Sequence, residues 1–227
     1  MAEVKTPTTV LLFSGGIEST VLAYQLRQAN HDVHLLGIDY GQRHRKEHEF
    51  AQKTAELLGL PFREVDLRAI GPLVPGNALL DPAVPVPDHG GPVPGRAIVV
   101  PNRNVILLSI AFAAAVTLNA DQVAIGAMAG DSRTGDCTQA FVDSFNAMER
   151  VATADCAPGH LVVVAPLVHL QKHEVIHLGD SLGVPWGDTW SCFRDGELQC
   201  GTCVTCHDRR TGFEKADVSD PTTYAGS

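Results

Sequence analysis

An apolar strand followed at once by two glycines is the feature that most constrains how this chain folds. The run 10–13 (Val-Leu-Leu-Phe) is typical of a strand buried in a parallel sheet. Ser14, Gly15 and Gly16 follow, and a helical pattern begins near Ser19. Paired glycines allow a tight turn and close approach to a ligand, and a helix start offers free N–H groups to phosphate. The stretch predicts a phosphate-binding loop; a purely structural turn is the alternative.

This loop lacks the Gly-Lys-Ser/Thr ending of the Walker type. It resembles the PP-loop, Ser-Gly-Gly-x-Asp-Ser/Thr, of ATP pyrophosphatases, with Glu18 in place of the Asp. The resemblance implies cleavage of ATP between its α- and β-phosphates, with a carbonyl oxygen activated as an adenylate. It also implies that the ATP-binding residues are Phe13, Ser14, Gly15, Gly16, Ile17, Glu18, Ser19, Thr20, Val21, Leu22 and Ala23.

Length and charge exclude several classes of protein. The 227 residues, 44% of them hydrophobic and 19% charged, suit one globular domain with at most a small appendage. A net charge of -9 argues against a non-specific nucleic-acid or anionic-membrane surface. No apolar run reaches membrane-spanning length, and residues 1–5 begin no signal peptide. We therefore expect a cytoplasmic protein with no nucleic-acid partner and no membrane partner.

Apolar periodicity predicts strands that alternate with helices. The expected strands are 8–13, 33–39, 62–67, 122–126 and 161–165, and the expected helices are 19–30, 46–58, 105–118, 138–152 and 171–182. This order predicts an α/β fold built on a doubly wound parallel sheet. The apolar helix 105–118 is expected to be deeply buried, and Phe141, Phe145 and Met148 are expected in the core.

Residues 71–101 form a proline-rich segment. They hold eight of the 14 prolines, so a regular helix or a central strand is excluded. A long irregular loop inside a compact domain is usually functional or disordered. From composition alone, a solvated excursion and a loop that covers a substrate remain equally open.

Four of the six cysteines fall within 15 residues, at Cys192, Cys200, Cys203 and Cys206. In a reducing compartment such spacing indicates a metal site and not disulfides. Four thiolates suit tetrahedral zinc and leave no open position, which predicts a structural ion. An iron–sulfur cluster also uses Cys-x2-Cys-x2-Cys, but the bacterial ferredoxin pattern continues to a further downstream cysteine that this sequence lacks.

Several further stretches occur in a fixed order: 40–44 (Tyr-Gly-Gln-Arg-His), Pro-x-Arg-Asn at 101–104, Gly135-Asp136-Cys137 followed by Phe141, Pro166-Leu167 with Lys172 and Glu174, and the four-cysteine tail. Together with the PP-loop they resemble the QueC family of 7-cyano-7-deazaguanine synthases over nearly the whole chain. The resemblance implies an adenine nucleotide α-hydrolase-like, Rossmann-like fold. It also implies a PP-loop ATP-binding domain over 1–188, a zinc-binding segment over 189–227 packed on it, and a homodimer.

The implied chemistry uses ATP, Mg²⁺ and structural Zn²⁺. ATP activates 7-carboxy-7-deazaguanine as an acyl adenylate, ammonia displaces AMP to give the amide, and a second ATP activates the amide oxygen so that loss of AMP leaves the nitrile. By resemblance the catalytic residues are Glu18, which would help bind the metal ion, and Lys172, which would offset phosphate charge. A solvated lysine is the alternative for Lys172. The implied substrate-binding residues are Arg43, Arg103, Asn104 and Asp136.

This sequence departs from the family pattern at three places. Glu18 replaces Asp, Asn102 replaces the glycine of Pro-Gly-Arg-Asn, and the loop before Gly135 is shorter than the family's and lacks its acidic and tyrosine residues, with Ala-Met-Ala-Gly at 127–130 ahead of Asp131. The last two departures touch the expected substrate contacts. Two alternatives therefore stay open. One is a divergent ligase that adenylates a related carboxylate and forms an amide with another amine. The other is a nucleotide-binding module without turnover.

Overall fold

The computed structural model describes residues 5–91, 97–131 and 134–226. Five strands and six helices lie along this part of the chain, and they alternate up to α5, which α6 follows with no strand between. Their bounds are β1 Thr8–Leu12, α1 Ile17–Gln28, β2 Asp32–Asp39, α2 Lys46–Leu58, β3 Phe62–Asp66, α3 Arg103–Thr117, β4 Gln122–Ala124, α4 Gln139–Ala152, β5 Val162–Val164, α5 Lys172–Ser181 and α6 Val204–Ala216. Short 3-10 turns cover Arg68–Leu73, Ala129–Asp131, Gly135–Cys137 and Trp186–Asp188.

The strands form one parallel sheet in the order β3-β2-β1-β4-β5. Leu11 of β1 pairs with Leu35 of β2 on one side and Ala124 of β4 on the other. The chain order reverses between β1 and β4, which is where open α/β sheets bind ligands. The predicted doubly wound α/β fold is confirmed.

Side chains alternate across β1 and build a separate core on each face of the sheet. Leu11 packs with residues of α1, α2, α5 and α6. Val10 and Leu12 pack with residues of α3 and α4 on the opposite face. The central strand is therefore buried on both sides, as its unbroken apolar run predicts.

Two core predictions are wrong. Helix α3 is not deeply buried: Leu108, Ala111, Phe112 and Ala115 face the sheet, while its opposite side is exposed or half-buried. Met148 is 45% exposed. On α4 the buried side chains are Val142, Phe145 and Glu149, a stripe at helical spacing that excludes position 148, and Phe141 is half-buried at its edge.

Helix α6 is absent from the sequence-based prediction, because its buried stripe is Cys206, Arg209 and Phe213 and so contains little apolar signal. It packs on α5, and Gly212 makes this approach possible: a Cβ there would lie 2.6 Å from Lys172 Cγ. Arg209 is fully buried, and its guanidinium donates to Asp220 (Nη2 to Oδ1, 3.1 Å) and to the Trp186 carbonyl (2.9 Å). These contacts fix the end of the chain against the main core.

No helix within the described ranges is both long enough and apolar enough to cross a bilayer.

Candidate functional site

The PP-loop lies at the carboxyl end of the central strand β1. Gly15 has a φ of +83°, in the left-handed region that favours glycine. A Cβ at Gly15 would lie 2.6 Å from the Glu47 carbonyl oxygen, so the loop packs tightly against the start of α2. The Ser14 N–H is 3.3 Å from Ser19 Oγ, and the Gly16 N–H donates to Ser14 Oγ (3.2 Å). The loop is thus held as an open turn at the first residues of α1.

The eleven residues from Phe13 to Ala23 differ in how far their side chains are exposed to solvent. Ser14 is exposed, and Gly16 and Glu18 are half-buried. The apolar side chains among them belong to the core: Phe13, Ile17, Val21, Leu22 and Ala23. Those residues could meet a nucleotide only through their backbone. The predicted start of α1 also shifts, from residue 19 to Ile17, because Gly16 is the extended N-cap residue.

Glu18 and Lys172 meet at this loop. Lys172 is the first residue of α5, and its Nζ contacts Glu18 Oε1 directly. Both side chains are about four-fifths buried, with 22% and 21% exposed. The start of α5 is fixed by Glu174, whose carboxylate accepts from the Gln171 N–H (2.7 Å). The two residues predicted to be catalytic are therefore neighbours across the mouth of the phosphate loop.

A cluster of ionisable residues lies beside the PP-loop: Tyr40 and His44, which are buried, and Glu47 and Arg103, which are half-buried. Burial raises the pKa of Glu47 to about 8; Arg103 opposes this shift and Glu18 adds to it. Burial also lowers the pKa of His44 to about 3, helped by Arg103, so the imidazole is neutral. His44 Nδ1 has no hydrogen-bond partner in the described part of the chain, and Nε2 lies 3.7 Å from Glu47 Oε2.

Arg103 links this cluster to the predicted substrate residues. Burial alone would lower the pKa of its guanidinium, but Tyr40, Cys137 and Asp136 outweigh burial and raise the pKa. Its Nε donates to Asn104 Oδ1 (3.3 Å). The Asn104 N–H donates to Asp136 Oδ2 (3.3 Å), and Asn104 Nδ2 donates to the Asp136 carbonyl (3.0 Å). Three of the four predicted substrate-binding residues are thus assembled at the N-terminus of α3.

Arg43, the fourth predicted substrate-binding residue, points elsewhere. Its Nη1 donates to the carbonyls of Val84 (2.7 Å) and Ala78 (3.4 Å) in the proline-rich segment. In this structure Arg43 holds that segment and does not join the other three. A contact between Arg43 and a substrate carboxylate stays a prediction.

Asn102 occupies the position where the pattern Pro-Gly-Arg-Asn has glycine. It precedes α3 with a φ of +60°, a left-handed conformation that glycine adopts without strain and asparagine tolerates best among the other residues. The replacement of glycine by Asn102 therefore preserves the turn that places Arg103 and Asn104. Of the altered loop 127–136, Ser132 and Arg133 lie outside the described residues.

Part of the proline-rich segment packs over the cysteine cluster, while other described residues of the segment, such as Leu73, are exposed. Ala78, Val86 and Ala97 share a buried cluster with Trp190, Cys192, Cys203 and Cys206. Arg194 also binds the proline-rich segment: its Nη2 donates to the Val86 carbonyl and to Asp88 Oδ1, both at 2.8 Å. These contacts attach the buried part of the segment to the cysteine cluster.

The four cysteines converge as a tetrahedral metal site requires. Their sulfur atoms all lie within 4.8 Å of one another, with Cys192 to Cys203 at 4.0 Å and Cys200 to Cys206 at 3.9 Å. Zinc–sulfur bonds of about 2.3 Å give a tetrahedron edge of about 3.8 Å, so the sulfurs fit that ion. The N–H groups of Arg194 and Cys200 each donate to Cys192 Sγ (3.3 Å), the outer-shell pattern expected around a thiolate ligand.

Sequence reasoning missed Glu47 and His44 as site residues. A signal was present for Glu47: the buried stripe of α2 is Ala51, Thr54, Ala55 and Leu58, and Glu47 lies one turn before Ala51 on the same face. Leu57 lies off this stripe and is 57% exposed. A carboxylate on a buried stripe indicates a function other than packing.

Comparison with known proteins decides the family. The model of the family described as "Queuosine biosynthesis protein QueC" matches residues 8–217. This chain belongs to the QueC family. The 7-cyano-7-deazaguanine synthase of Ruegeria pomeroyi is 43% identical over 220 residues, which cover 96% of this chain and 94% of that protein. The enzyme of the same name from Rhizobium etli is 42% identical over 218 residues, covering 95% and 91%.

Solved structures share the fold of this QueC protein at low sequence identity. A predicted subunit of a tRNA methyltransferase from Methanocaldococcus jannaschii has a TM-score of 0.50 and 17% identity, with 97% of this chain and 93% of that chain covered. The NMN synthetase of Francisella tularensis has a TM-score of 0.50 and 18% identity, covering 85% and 70%. These likenesses support the parallel sheet and its helices.

Proposed function

We propose that this protein is a 7-cyano-7-deazaguanine synthase, an ATP-dependent carbon–nitrogen ligase of queuosine biosynthesis. It converts 7-carboxy-7-deazaguanine and ammonia to the nitrile, with two ATP molecules cleaved to AMP and pyrophosphate. The observation that carries the proposal is the match to enzymes of that name over 95–96% of this chain. The PP-loop and the Arg103–Asn104–Asp136 group lie at one edge of the sheet, where such a reaction needs them.

We assign the nucleotide to the PP-loop. Ser14, Gly16 and the free N–H groups at the start of α1 cradle the pyrophosphate part of ATP. Mg²⁺, when bound, neutralises phosphate charge, and Glu18 is its proposed protein ligand. Lys172, already beside Glu18, offsets the charge that develops as the bond between the α- and β-phosphates breaks.

We assign the deazaguanine to the residues at the start of α3. A carboxylate accepts hydrogen bonds from two adjacent donors, so Asp136 suits the N1–H and exocyclic amine of a guanine-like edge. The guanidinium of Arg103 can donate two parallel hydrogen bonds to the substrate carboxylate. Asn104 holds Asp136 through its N–H group and its side-chain amide. Arg43 contributes by keeping the proline-rich segment in place.

We propose that the four cysteines hold structural zinc. The sulfur distances fit four bonds, and a filled tetrahedral site leaves no position for water or substrate. In this proposal residues 1–188 form the ATP-binding domain, and the zinc-binding segment 189–227 packs on it. The Trp190 N–H donates to the Gly15 carbonyl (3.0 Å), which supports that packing.

The proposed partners are small molecules: the deazaguanine carboxylate, ATP and ammonia. The net charge of -9 supports the absence of a nucleic-acid partner. We also propose a cytoplasmic location, as expected from the sequence, and a homodimer, as the family resemblance implies. Light scattering of the purified protein tests the dimer.

Product analysis tests the proposed function. Purified protein is incubated with 7-carboxy-7-deazaguanine, ATP, Mg²⁺ and ammonium, and the products are read by mass spectrometry and phosphorus NMR. The expected products are the nitrile, AMP and pyrophosphate. An amide as the end product would indicate a divergent ligase, ADP would contradict the PP-loop assignment, and no turnover would indicate a binding module.

A further inference from the structure

The peptide between Gly15 and Gly16 is the part of the PP-loop with the greatest freedom to rotate. Glycine adopts left-handed and right-handed conformations with similar ease, so a peptide plane between two glycines can turn over at little steric cost. Gly15 already has a φ of +83°. Because a trans peptide is planar, its C=O and N–H groups point in opposite directions, and a flip would exchange them. The loop therefore needs a contact that selects one orientation.

Trp190 supplies that contact from the C-terminal segment. Its N–H donates to the Gly15 carbonyl at 3.0 Å. Its own carbonyl also approaches the loop, since a Cβ at Gly16 would lie 3.6 Å from that oxygen. With the Gly15 carbonyl turned toward Trp190, the Gly16 N–H points the other way and donates to Ser14 Oγ (3.2 Å). Ser14 is exposed, so this N–H faces the side of the loop that a ligand can reach.

A buried polar network holds the residue before Trp190. Thr189 is 1% exposed, and its hydroxyl accepts from Arg209 Nη1 (2.7 Å) and donates to the Trp186 carbonyl (2.8 Å). Arg209 is fully buried on α6, and its Nη2 (3.1 Å) and Nε (3.2 Å) both donate to Asp220 Oδ1. The backbone that carries the Trp190 N–H is thus fixed from the side away from solvent.

Gln199 holds the same stretch of backbone through its side-chain amide. Its Oε1 accepts from the Ser191 N–H (3.1 Å), and its Nε2 donates to the Thr189 carbonyl (3.3 Å). The indole N–H of Trp190 donates to the Cys192 carbonyl (3.0 Å). Residues 189–192 therefore form a rigid support beside the more mobile Gly-Gly peptide.

We propose that Trp190 is a positioning residue for ATP. Its N–H holds the Gly15–Gly16 peptide in the orientation that presents the Gly16 N–H to the pyrophosphate part of the nucleotide. This role rests on the proposed function, because it deepens the assignment of ATP to the PP-loop. Thr189 and Arg209 act through Trp190 from the buried side. The C-terminal segment thereby takes part in ATP binding in addition to its metal site.

The proposed contact acts on one part of the nucleotide only. ATP carries the β- and γ-phosphates that the Gly16 N–H would meet, whereas AMP lacks them. Loss of the Trp190 contact should therefore weaken ATP binding and leave AMP binding unchanged. A general loosening of the fold would weaken both.

An ester bond at residue 190 tests the contact itself. Nonsense suppression with the α-hydroxy acid analogue of tryptophan replaces the Trp190 N–H by oxygen and leaves the indole in place. Calorimetric titrations with ATP and with AMP are carried out in Mg²⁺, without the carboxylate substrate. We expect the Kd for ATP to rise about tenfold, the scale of one backbone hydrogen bond, and the Kd for AMP to stay within about twofold.

The matched control is an ester at Val218 in the same C-terminal segment. The Val218 N–H donates to the Phe213 carbonyl (3.2 Å) at the end of α6, so its loss removes a backbone hydrogen bond that does not involve the PP-loop. This ester should change neither Kd. A thermal melt and a zinc measurement on each variant check that the fold and the metal site persist.

Thr189→Val is the second variant, and it serves if the ester at residue 190 does not fold. It keeps the shape of the side chain and removes the hydroxyl that Arg209 holds, so the Kd for ATP should rise about fivefold with no change for AMP. Thr189→Ser keeps the hydroxyl and should keep ATP affinity. Thr211→Val is the control, because that hydroxyl lies on α6 and its contact is His207 Nε2 (3.4 Å).

Two results would overturn the proposal: an unchanged Kd for ATP in the ester variant, or an equal loss of ATP and AMP affinity. If only Thr189→Val folds, the same two results in that variant would overturn it. Failure of the wild type to cleave ATP with 7-carboxy-7-deazaguanine would instead contradict the proposed function. The two failures are distinguishable, because the titrations use no carboxylate substrate.

Discussion

Lys172 Nζ contacts Glu18 Oε1 although 154 residues separate the two along the chain. The first turn of α5 and the first turn of α1 are thereby joined at the mouth of the PP-loop. The contact places one positive and one negative side chain where ATP cleavage needs a charge-compensating cation and a metal-binding carboxylate. Its consequences can be measured directly.

Replacement of Lys172 by Met should impair adenylation more than ATP binding. The ammonium group is expected to act as charge develops on the leaving pyrophosphate, so we expect pyrophosphate release to fall about 100-fold. Lys215→Met, an exposed lysine on the adjacent α6, is the control and should leave the rate unchanged. The measurement is a pyrophosphate-release assay beside an ATP titration. A loss confined to ATP affinity would contradict the assigned role.

Because Lys172 and Glu18 are in contact, their effects should not multiply. The double variant Glu18→Gln, Lys172→Met should lose less activity than the product of the two single losses, since either change already breaks the pair. A double-mutant cycle on pyrophosphate release measures this coupling. Strictly multiplicative losses would show that the two residues act independently.

Asp136→Ala should weaken binding of the deazaguanine carboxylate by about 2–4 kcal/mol, the cost of removing one partner of a buried charged hydrogen bond. ATP affinity should hardly change, because Asp136 hydrogen-bonds to Asn104 at the start of α3 and is not part of the PP-loop. Calorimetric titration with each ligand checks the difference. Asp143→Ala, an exposed change on α4, is the control. Equal losses for both ligands would contradict the assignment.

The buried Glu47 predicts a pH dependence of stability. Its pKa is raised from 4.5 to about 8 in the folded protein, so the folded state holds a proton that the unfolded state has already released across that window. The free energy of unfolding should therefore fall as pH rises from about 4.5 to about 8. Glu47→Gln should remove this decline and melt at a higher temperature than wild type at pH 8.5. Melting curves that stay parallel at all pH values would contradict the burial of this charge.

Metal removal should loosen the proline-rich segment together with the end of the chain, because Val86 and Ala78 pack on the cysteine cluster. We expect Cys200→Ser to lose bound zinc and to lower the melting temperature. Cys156→Ser, at an exposed cysteine outside the cluster, should do neither. Metal analysis beside a melt with and without chelator provides the test. Iron with sulfide in the purified protein would contradict the zinc assignment.

Much of the fold could be predicted because the arrangement of the sheet follows from apolar runs and from the order of strands and helices along the chain. The unbroken apolar run of β1 requires cover on both faces, and alternating strands and helices favour a parallel sheet. Gly59 ends α2 in the left-handed conformation expected of a C-terminal glycine. The convergence of the four cysteines also follows from spacing alone.

The rest depended on contacts that no local pattern encodes. Helix α6 buries Arg209, whose guanidinium donates to Asp220 and to the Trp186 carbonyl. The buried face of α6 therefore lacks a continuous apolar pattern in the sequence. Arg43 meets the carbonyl of Val84, 41 positions away, and so holds a loop where sequence reasoning predicted a substrate contact. Glu47 was hidden because a charged residue at the start of a helix usually interacts with solvent and the helix dipole.

The path of the carboxylate oxygens tests the central claim most directly. 7-Carboxy-7-deazaguanine labelled with ¹⁸O at both carboxylate oxygens is converted with unlabelled ATP and ammonium, and the AMP is examined by mass spectrometry. Each activation bonds one substrate oxygen to an α-phosphate, so the account predicts two AMP per nitrile, each with one ¹⁸O. Unlabelled AMP, or label recovered in water or pyrophosphate, would contradict adenylation of the substrate at this PP-loop.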